Sequence, residues 1–212
     1  QALRRAGYHA TFMCRPPFPH VMSSGWHLHH SIVDAASGRS RQAEHGEHWL
    51  GGLVAHARGM ASFCTSTVNG YGRFRPHAMA PVSVQWGRDN RGTMLRVLGD
   101  GDHARIENRL GEPLANPYLY VAAQIHAGLD GLARRLSPGP AATSPYAAAD
   151  APPLPASLGE ALDALHADSV LVEAFGAELV DCWTRIKRSE QARHDAAADK
   201  DAWQRREYFS RY

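Results

Sequence analysis

Lysine is almost absent from this chain of 212 residues, in which two lysines stand against 21 arginines. Since GC-rich coding favours arginine, the positions of the arginines carry more information than their number. The net charge of +2 is too small to indicate a general affinity for nucleic acid. No apolar run approaches the roughly 20 residues that span a bilayer, and no signal-peptide core follows the N-terminus. We therefore expect a cytoplasmic protein without a nucleic-acid or membrane partner.

Cysteine is scarce as well, and its three copies are Cys14, Cys64 and Cys182. An odd number of widely separated cysteines is typical of reduced thiols rather than of a disulfide framework. The sequence contains neither an internal repeat nor a glycine-rich nucleotide-binding loop. It is nevertheless 44% hydrophobic, which is enough to bury the core of one or two domains.

Hydrophobic spacing predicts the order strand, strand, helix, three strands and then helices, which indicates an α+β fold. The predicted strands cover 8–14, 26–33, 82–86, 94–98 and 103–110, and the predicted helices cover 47–63, 117–136, 158–165, a longer segment with Phe175, Leu179, Trp183 and Ile186 on one stripe, and 203–212. We expect a core over 1–136, a Pro/Ala-rich surface loop over 137–156, and C-terminal helices of the same domain over 157–212.

Arginines concentrate between residues 73 and 109, where seven occur without a lysine. The run ends in Arg105-Ile106-Glu107-Asn108-Arg109, and in a strand the residues at 105, 107 and 109 share one face. A metal ion with phosphate oxygens would satisfy all three charges at once. On these three residues alone, a solvated salt-bridge ladder is the simpler interpretation.

Upstream, His27 and His29 lie two residues apart on a predicted strand. This spacing can place both imidazoles over one cavity, where neutral nitrogens ligate a metal and protonated nitrogens contact phosphate. Core or edge histidines are the alternative. A hard ion such as Mg²⁺ also needs oxygen ligands, and beyond Glu107 the sequence offers no obvious further carboxylate.

Short motifs occur in order along most of the chain. They are Ala10-Thr11-Phe12-Met13, Gly25-Trp26-His27-Leu28-His29-His30-Ser31, Asn69-Gly70-Tyr71-Gly72-Arg73, Ala80-Pro81-Val82, Arg88-Asp89-Asn90-Arg91, Arg96, the run from Arg105 to Arg109, Ala115-Asn116-Pro117-Tyr118-Leu119 and Ala127-Gly128-Leu129-Asp130-Gly131. In this order they resemble the catalytic domain of the glutamine synthetase family, and the segment from Leu154 onward is similar to the closing helices of that family.

The resemblance implies an antiparallel sheet flanked by helices and a helical C-terminal segment. It also implies the ATP-dependent joining of an amine to the γ-carboxylate of glutamate through a γ-glutamyl phosphate, with ATP and Mg²⁺ or Mn²⁺ as cofactors. The partners would be glutamate, an amine and further subunits in stacked rings, with each active site between neighbouring subunits. The family's other metal-ligand glutamates and its small N-terminal β domain belong upstream of residue 10. We therefore expect this chain to be part of a longer polypeptide.

The resemblance also implies a role for each motif residue. The metal ligands would be His27 and Glu107, the nucleotide and phosphate contacts would be His29, Ser31, Arg91, Arg96 and Arg105, the catalytic arginines would be Arg73, Arg91 and Arg109, and the substrate pocket would contain Arg73, Met79 and Trp26. In this scheme Arg73 holds the α-carboxylate of glutamate, for which a planar guanidinium is well suited.

Met79 is a departure from the family pattern, which has a glutamate here that takes a proton from bound ammonium. A thioether cannot accept that proton, but it can line an apolar pocket. An aromatic amine is already neutral near pH 7, so Met79 favours an amine that is bulkier or less basic than ammonia. We therefore expect an organic amine (aryl-, alkyl- or polyamine) as the substrate. His77 is an alternative base, although a solvated loop histidine is the simpler interpretation.

Two other functions are also compatible with the sequence. One is an ordinary glutamine synthetase that uses ammonia, and the other is an inactive member of the family that serves as a regulatory or assembly subunit. Binding of nucleic acid by the arginines is disfavoured, because aromatic residues are not interleaved with them as a stacking platform would require.

Overall fold

The structure, a computed structural model, describes residues 1–147 and 150–211. Its strands are β1 (Leu28–His30), β2 (Trp86–Arg88), β3 (Leu95–Leu98) and β4 (Arg105–Asn108). Its helices are α1 (Ala2–Arg5), α2 (Gln42–Ala55), α3 (Ala57–Cys64), α4 (Val68–Tyr71), α5 (Pro117–Arg134), α6 (Leu158–Ala167), α7 (Ser169–Phe175), α8 (Ala177–Asp195) and α9 (Lys200–Tyr208), with a 3-10 turn at Gly101–His103. The α+β class is confirmed.

The strands form one sheet in the order β1-β4-β3-β2. β4 pairs antiparallel with both β1 and β3, whereas β2 and β3 run parallel. The sheet is therefore mixed, and the expectation of a wholly antiparallel sheet is wrong at the β2 edge. Residues 89–94 return the chain to the same end of the sheet, and they begin with a sharp turn at Asp89, whose φ is +46°.

The register places charged side chains in a row across the sheet. Glu107 on β4 pairs with His29 on β1 and with Arg96 on β3. Their neighbours Ile106 and Val97 also pair with each other, and successive side chains on a strand point to opposite faces. One face of the sheet is therefore polar, and the other belongs to the core.

The core fills the space between the apolar face of the sheet and the helices. α2 and α3 pack against α5, and α6 packs against α3. The largest fully buried apolar side chains are Phe63, Leu53, Met60, Met94, Leu95, Ile106, Leu110, Leu158, Leu162, Leu165 and Leu171. Because this close-packed core lies against the apolar face of the sheet, it keeps the strands that carry the polar face rigid.

Four predicted elements are wrong. The strand predicted over 82–86 forms instead at Trp86–Arg88. The single helix predicted to carry Phe175 and Ile186 is divided between α7 and α8 at Gly176, whose φ is +81°.

The helix predicted over 47–63 is broken at His56, because its imidazole lies between two carboxylates, with Nδ1 2.7 Å from Oδ2 of Asp168 and Nε2 2.9 Å from Oδ2 of Asp130. The strand predicted over 8–14 does not form, because its backbone pairs with no strand among the described residues. A β-prone run without a partner strand stays irregular.

Other boundaries differ by smaller amounts. The strand predicted over 26–33 is shortened to β1, and the last helix begins at Lys200 instead of 203, because the side chain of Asp199 accepts a hydrogen bond from the Ala202 amide and caps it. The helix predicted to begin at 117 does so, with Asn116 as its cap. No helix in the described ranges has both the length and the apolar composition of a membrane span.

The Pro/Ala-rich segment 137–156, as far as it is described, follows the β2 edge of the sheet. The Ala142 amide donates to the Trp86 carbonyl at 2.8 Å, and the Leu154 amide donates to the Val82 carbonyl at 3.1 Å. Residues 148 and 149 lie outside the described ranges, as does residue 212 at the end of the last predicted helix. The segment therefore lies against the sheet beside the polar face.

Candidate active site

Glu107 lies at the centre of the polar face, with only 4% of its side chain exposed. Its Oε1 is 2.8 Å from Nη1 of Arg109, 2.9 Å from Nδ1 of His27 and 3.8 Å from Nε2 of His29. Its Oε2 accepts a hydrogen bond from Nη1 of Arg96 at 3.1 Å. Burial opposes ionisation, but Arg109, Arg96 and the histidines hold the pKa of Glu107 below its usual range. The side chains of Glu107 and Arg109 are buried, so the interpretation as a solvated ladder is wrong for this pair, whereas Arg105 is exposed.

A second carboxylate holds Arg96 from the other side. The Nη2 group of Arg96 donates to Oδ1 of Asp89, which lies on the exposed turn between β2 and β3. Aspartate tolerates the left-handed conformation that this turn requires. Asp89 belongs to the motif Arg88-Asp89-Asn90-Arg91, but the sequence alone assigns it no role, because its contact depends on the turn geometry.

Three guanidinium groups of the cluster retain an unused donor. Within the described part of the chain, the buried Nε atoms of Arg73, Arg96 and Arg109 have no hydrogen-bond partner. An unpaired buried donor costs about 1–3 kcal/mol. Three arginines against the carboxylates of Glu107 and Asp89 leave one positive charge in excess. The cluster is therefore suited to an anionic ligand.

His27 has the chemistry of a metal ligand. Burial and the positive charge of Arg109 lower its pKa to about 4, despite the opposing effect of Glu107, so the imidazole is neutral near pH 7. A neutral imidazole beside an ionised carboxylate fits a divalent cation. The fit is partial, because no group of three His, Cys, Asp or Glu side chains in 1–147 and 150–211 is arranged to hold a metal. Further ligands would have to come from elsewhere.

Arg73 is fixed at the base of the site by backbone carbonyls. Its Nη2 donates to the carbonyls of Arg109, Leu110 and Gly111 at 2.6–3.1 Å, and the side chain is buried. A Cβ atom added at Gly25 would lie 2.6 Å from Nη1 of Arg73 and would also collide with Nε2 of His27. Gly25 therefore keeps open the space where these two side chains meet.

The turn that delivers Arg73 is built on Glu112, whose role the sequence did not reveal. Its carboxylate accepts hydrogen bonds from the amides of Ser66 at 2.6 Å and Thr67 at 2.7 Å, at the start of α4. Complete burial raises the pKa of Glu112 to about 7, against the lowering effect of these hydrogen bonds. Gly70 lies directly against the carboxylate, where a larger residue would collide with it. The short helix α4 ends at Tyr71, two residues before Arg73.

Met79 reaches the cluster through its backbone. Its carbonyl accepts a hydrogen bond from Nη2 of Arg109 at 2.8 Å, while 56% of the residue is exposed. Both His77 and Met79 have left-handed backbone conformations, with φ of +60° and +50°. We name residues 75–79 the flap. The flap borders the arginine cluster and presents a thioether at its exposed edge.

The other predicted site residues are not brought into the cluster. Ser31, Arg91 and Arg105 are exposed, and among the described residues none of their side chains is hydrogen-bonded to it. Trp26 lines a separate groove that also contains Phe12. Their roles stay predictions. The structure therefore brings together His27, His29, Arg73, Arg96, Glu107 and Arg109, with the flap beside them.

The fold and the cluster define an α+β protein in which a short mixed sheet presents an arginine-rich cluster on its polar face. Residues 1–208 match the family model for the glutamine synthetase catalytic domain. The chain therefore belongs to the glutamine synthetase family.

The chain is similar to relatives that are named after different amide products. The chain is 42% identical to a gamma-glutamylanilide synthase of Acinetobacter sp, over 99% of this chain and 46% of that protein. It is 36% identical to the gamma-glutamylethanolamide synthetase GlnA4 of Streptomyces coelicolor, over 97% of this chain and 45% of the relative. A glutamine synthetase of Thermococcus kodakarensis also matches, at 38% identity over 80% of this chain and 41% of the relative.

A solved structure, described as a GmaS/ADP complex, has a similar fold. It superposes with a TM-score of 0.77 at 33% sequence identity, covering 96% of this chain and 50% of that one. The chain thus spans about half the length of the relatives that it matches.

Proposed function

We propose that the complete protein is an ATP-dependent ligase that joins an organic amine to the γ-carboxylate of glutamate. The observation that carries this proposal is the cluster around Glu107, in which three arginines retain unused buried donors beside a flap that ends in Met79. Membership of the glutamine synthetase family and the names of two of the relatives, an anilide and an ethanolamide synthetase, support it.

The first step would transfer the terminal phosphoryl group of ATP. An oxygen of the γ-carboxylate attacks the phosphorus, the bond to ADP breaks, and γ-glutamyl phosphate forms. Arg109 and Arg96, which both pair with Glu107, would stabilise the charge of the transferred group, with Arg91 as a further candidate. Arg73 would bind the α-carboxylate of glutamate, because its guanidinium is already fixed by three carbonyls and needs little further ordering.

The nucleotide and metal would be held by both ends of β1 and by β4. His27 and Glu107 would be two ligands of a Mg²⁺ or Mn²⁺ ion that neutralises phosphate charge. His29, whose Nε2 is 3.8 Å from Oε1 of Glu107, would contact phosphate. Ser31 and Arg105 would lie nearer to the nucleoside. Binding of the remaining ligands would require residues outside this chain or a neighbouring subunit in a ring.

In the second step the amine nitrogen attacks the γ-carbonyl carbon, phosphate leaves with the oxygen that it received, and the nitrogen loses a proton. Ammonium must lose a proton before it can attack, and Met79 cannot accept one. An arylamine attacks in its neutral form, and a thioether packs well against an aromatic ring. Met79 therefore favours a bulky or weakly basic amine.

The test is phosphate release from ATP by the complete protein with glutamate and one amine at a time. The amines are ammonia, an alkylamine, a polyamine and aniline. We expect turnover with at least one organic amine that exceeds turnover with ammonia. Robust turnover with ammonia alone would instead support an ordinary glutamine synthetase, which is the name of the Thermococcus relative. No turnover with any amine would support an inactive regulatory subunit.

A further inference from the structure

Tyr146 lies between two loops that border the cluster. Its ring centroid is 4.9 Å from that of His77 on the flap, and its hydroxyl donates to the carbonyl of Ala80 at 3.4 Å. On the other side, a Cβ atom added at Gly92 would be 3.2 Å from Cε2 of the Tyr146 ring and 2.6 Å from Cγ of Pro145. We name residues 89–93 the phosphate loop. Tyr146 is in contact with both the flap and the phosphate loop.

These loops carry different parts of the site. The flap carries Met79, whose carbonyl binds Arg109. The phosphate loop carries Asp89, which holds Arg96, and also Arg91. A side chain packed against both loops therefore lies between the group facing the amine and the groups facing phosphate.

Among the residues that the structure describes, few other contacts hold the flap. His77 and Met79 are exposed and adopt left-handed conformations that side chains other than glycine rarely take. Within the flap, the Ala78 amide reaches the Arg75 carbonyl at 3.3 Å, at the long end of the range for such bonds. The contacts with Arg109 and Tyr146 therefore provide much of the order of the flap.

We propose that Tyr146 is a positioning residue that holds the flap against the phosphate loop, so that the organic amine is bound and water is kept from the γ-glutamyl phosphate. This inference rests on the proposed function. Without the ring, the flap opens, the pocket for the amine loosens and water attacks the acyl phosphate, which releases glutamate and phosphate without forming an amide.

The test compares Tyr146→Ala and Tyr146→Phe in the complete protein. Tyr8→Ala is the matched control, because Tyr8 is 68% exposed and, among the described residues, its ring makes no aromatic contact with the flap. We expect Tyr146→Ala to raise the KM for the organic amine about tenfold or more, since small misplacements are costly in rate. More phosphate than amide should be released. The KM for glutamate should change little, because backbone carbonyls fix Arg73.

Tyr146→Phe keeps the ring contacts and should restore the coupling of phosphate release to amide formation. The control variant should have the same amine KM and the same ratio of phosphate to amide as the wild type. The proposal is overturned if Tyr146→Ala behaves like Tyr8→Ala, or if it lowers kcat while the amine KM and the coupling stay unchanged.

Hydrogen exchange gives a readout that does not need turnover. Amides of residues 74–81 and 88–93 should exchange faster in Tyr146→Ala than in the wild type and in the control. If the wild type turns over no amine, the proposed function fails, and exchange still decides whether Tyr146 holds the two loops. Unchanged exchange in both segments would overturn the inference.

Discussion

Replacing Glu107 by glutamine should destabilise the protein as well as inactivate it. The substitution keeps the shape of the side chain but removes the charge that faces Arg109 at 2.8 Å and Arg96 at 3.1 Å. Breaking a buried ion pair by removing one partner costs about 3–5 kcal/mol. Because the glutamine oxygen can still accept one hydrogen bond, we expect a loss of stability at the lower end of this range, about 3 kcal/mol.

Urea unfolding measures this loss. With a slope of about 2 kcal/mol per M, a loss of about 3 kcal/mol lowers the midpoint by about 1.5 M. Glu44→Gln is the control, because Glu44 is 56% exposed and forms a comparable 2.9 Å pair with Arg41. The loss in free energy of unfolding for Glu44→Gln should stay below about 0.5 kcal/mol. A loss below about 1 kcal/mol in Glu107→Gln would refute the reasoning that a buried carboxylate neutralises the arginines.

Three further predictions concern separate parts of the chain. Gly25→Ala should abolish turnover with little loss of secondary structure by circular dichroism, because its Cβ intrudes on Arg73; Ser24→Ala should be active. The hydrogen-bonded carboxylates raise the pKa of His56 despite its burial. The stabilisation by protonated His56 is therefore complete below about pH 6.5, the pKa of histidine in the unfolded chain, and is lost as the pH rises through the pKa in the folded protein. The melting temperatures of His56→Gln and the wild type should therefore differ more at acidic than at alkaline pH; a constant difference would contradict this. Met79→Glu should gain turnover with ammonia, measured as phosphate release, and no gain would show that the missing base is not the cause of selectivity.

The sequence predicted the cluster better than the boundaries of the elements. His27, Glu107, Arg73 and Arg109 were identified by their resemblance to family motifs, and the structure brings them together. The strand register that places Glu107 opposite Arg96 depends on pairing between distant segments, so local spacing could not reveal it.

The errors have a common physical cause. The helix over 47–63 breaks at His56 because of carboxylates that are 74 and 112 residues away along the chain. The structural role of Glu112 depends on the amides of Ser66 and Thr67, which are 46 and 45 residues away along the chain. In both cases a long-range contact outweighs local preference, which the pattern of neighbouring residues cannot encode.

The most direct test of the account is a competition in one reaction. The complete protein receives ATP, Mg²⁺, glutamate and equal concentrations of ammonium, an alkylamine, a polyamine and aniline, and mass spectrometry identifies the products. The account predicts that a γ-glutamyl derivative of an organic amine forms faster than glutamine. Glutamine as the dominant product would contradict it.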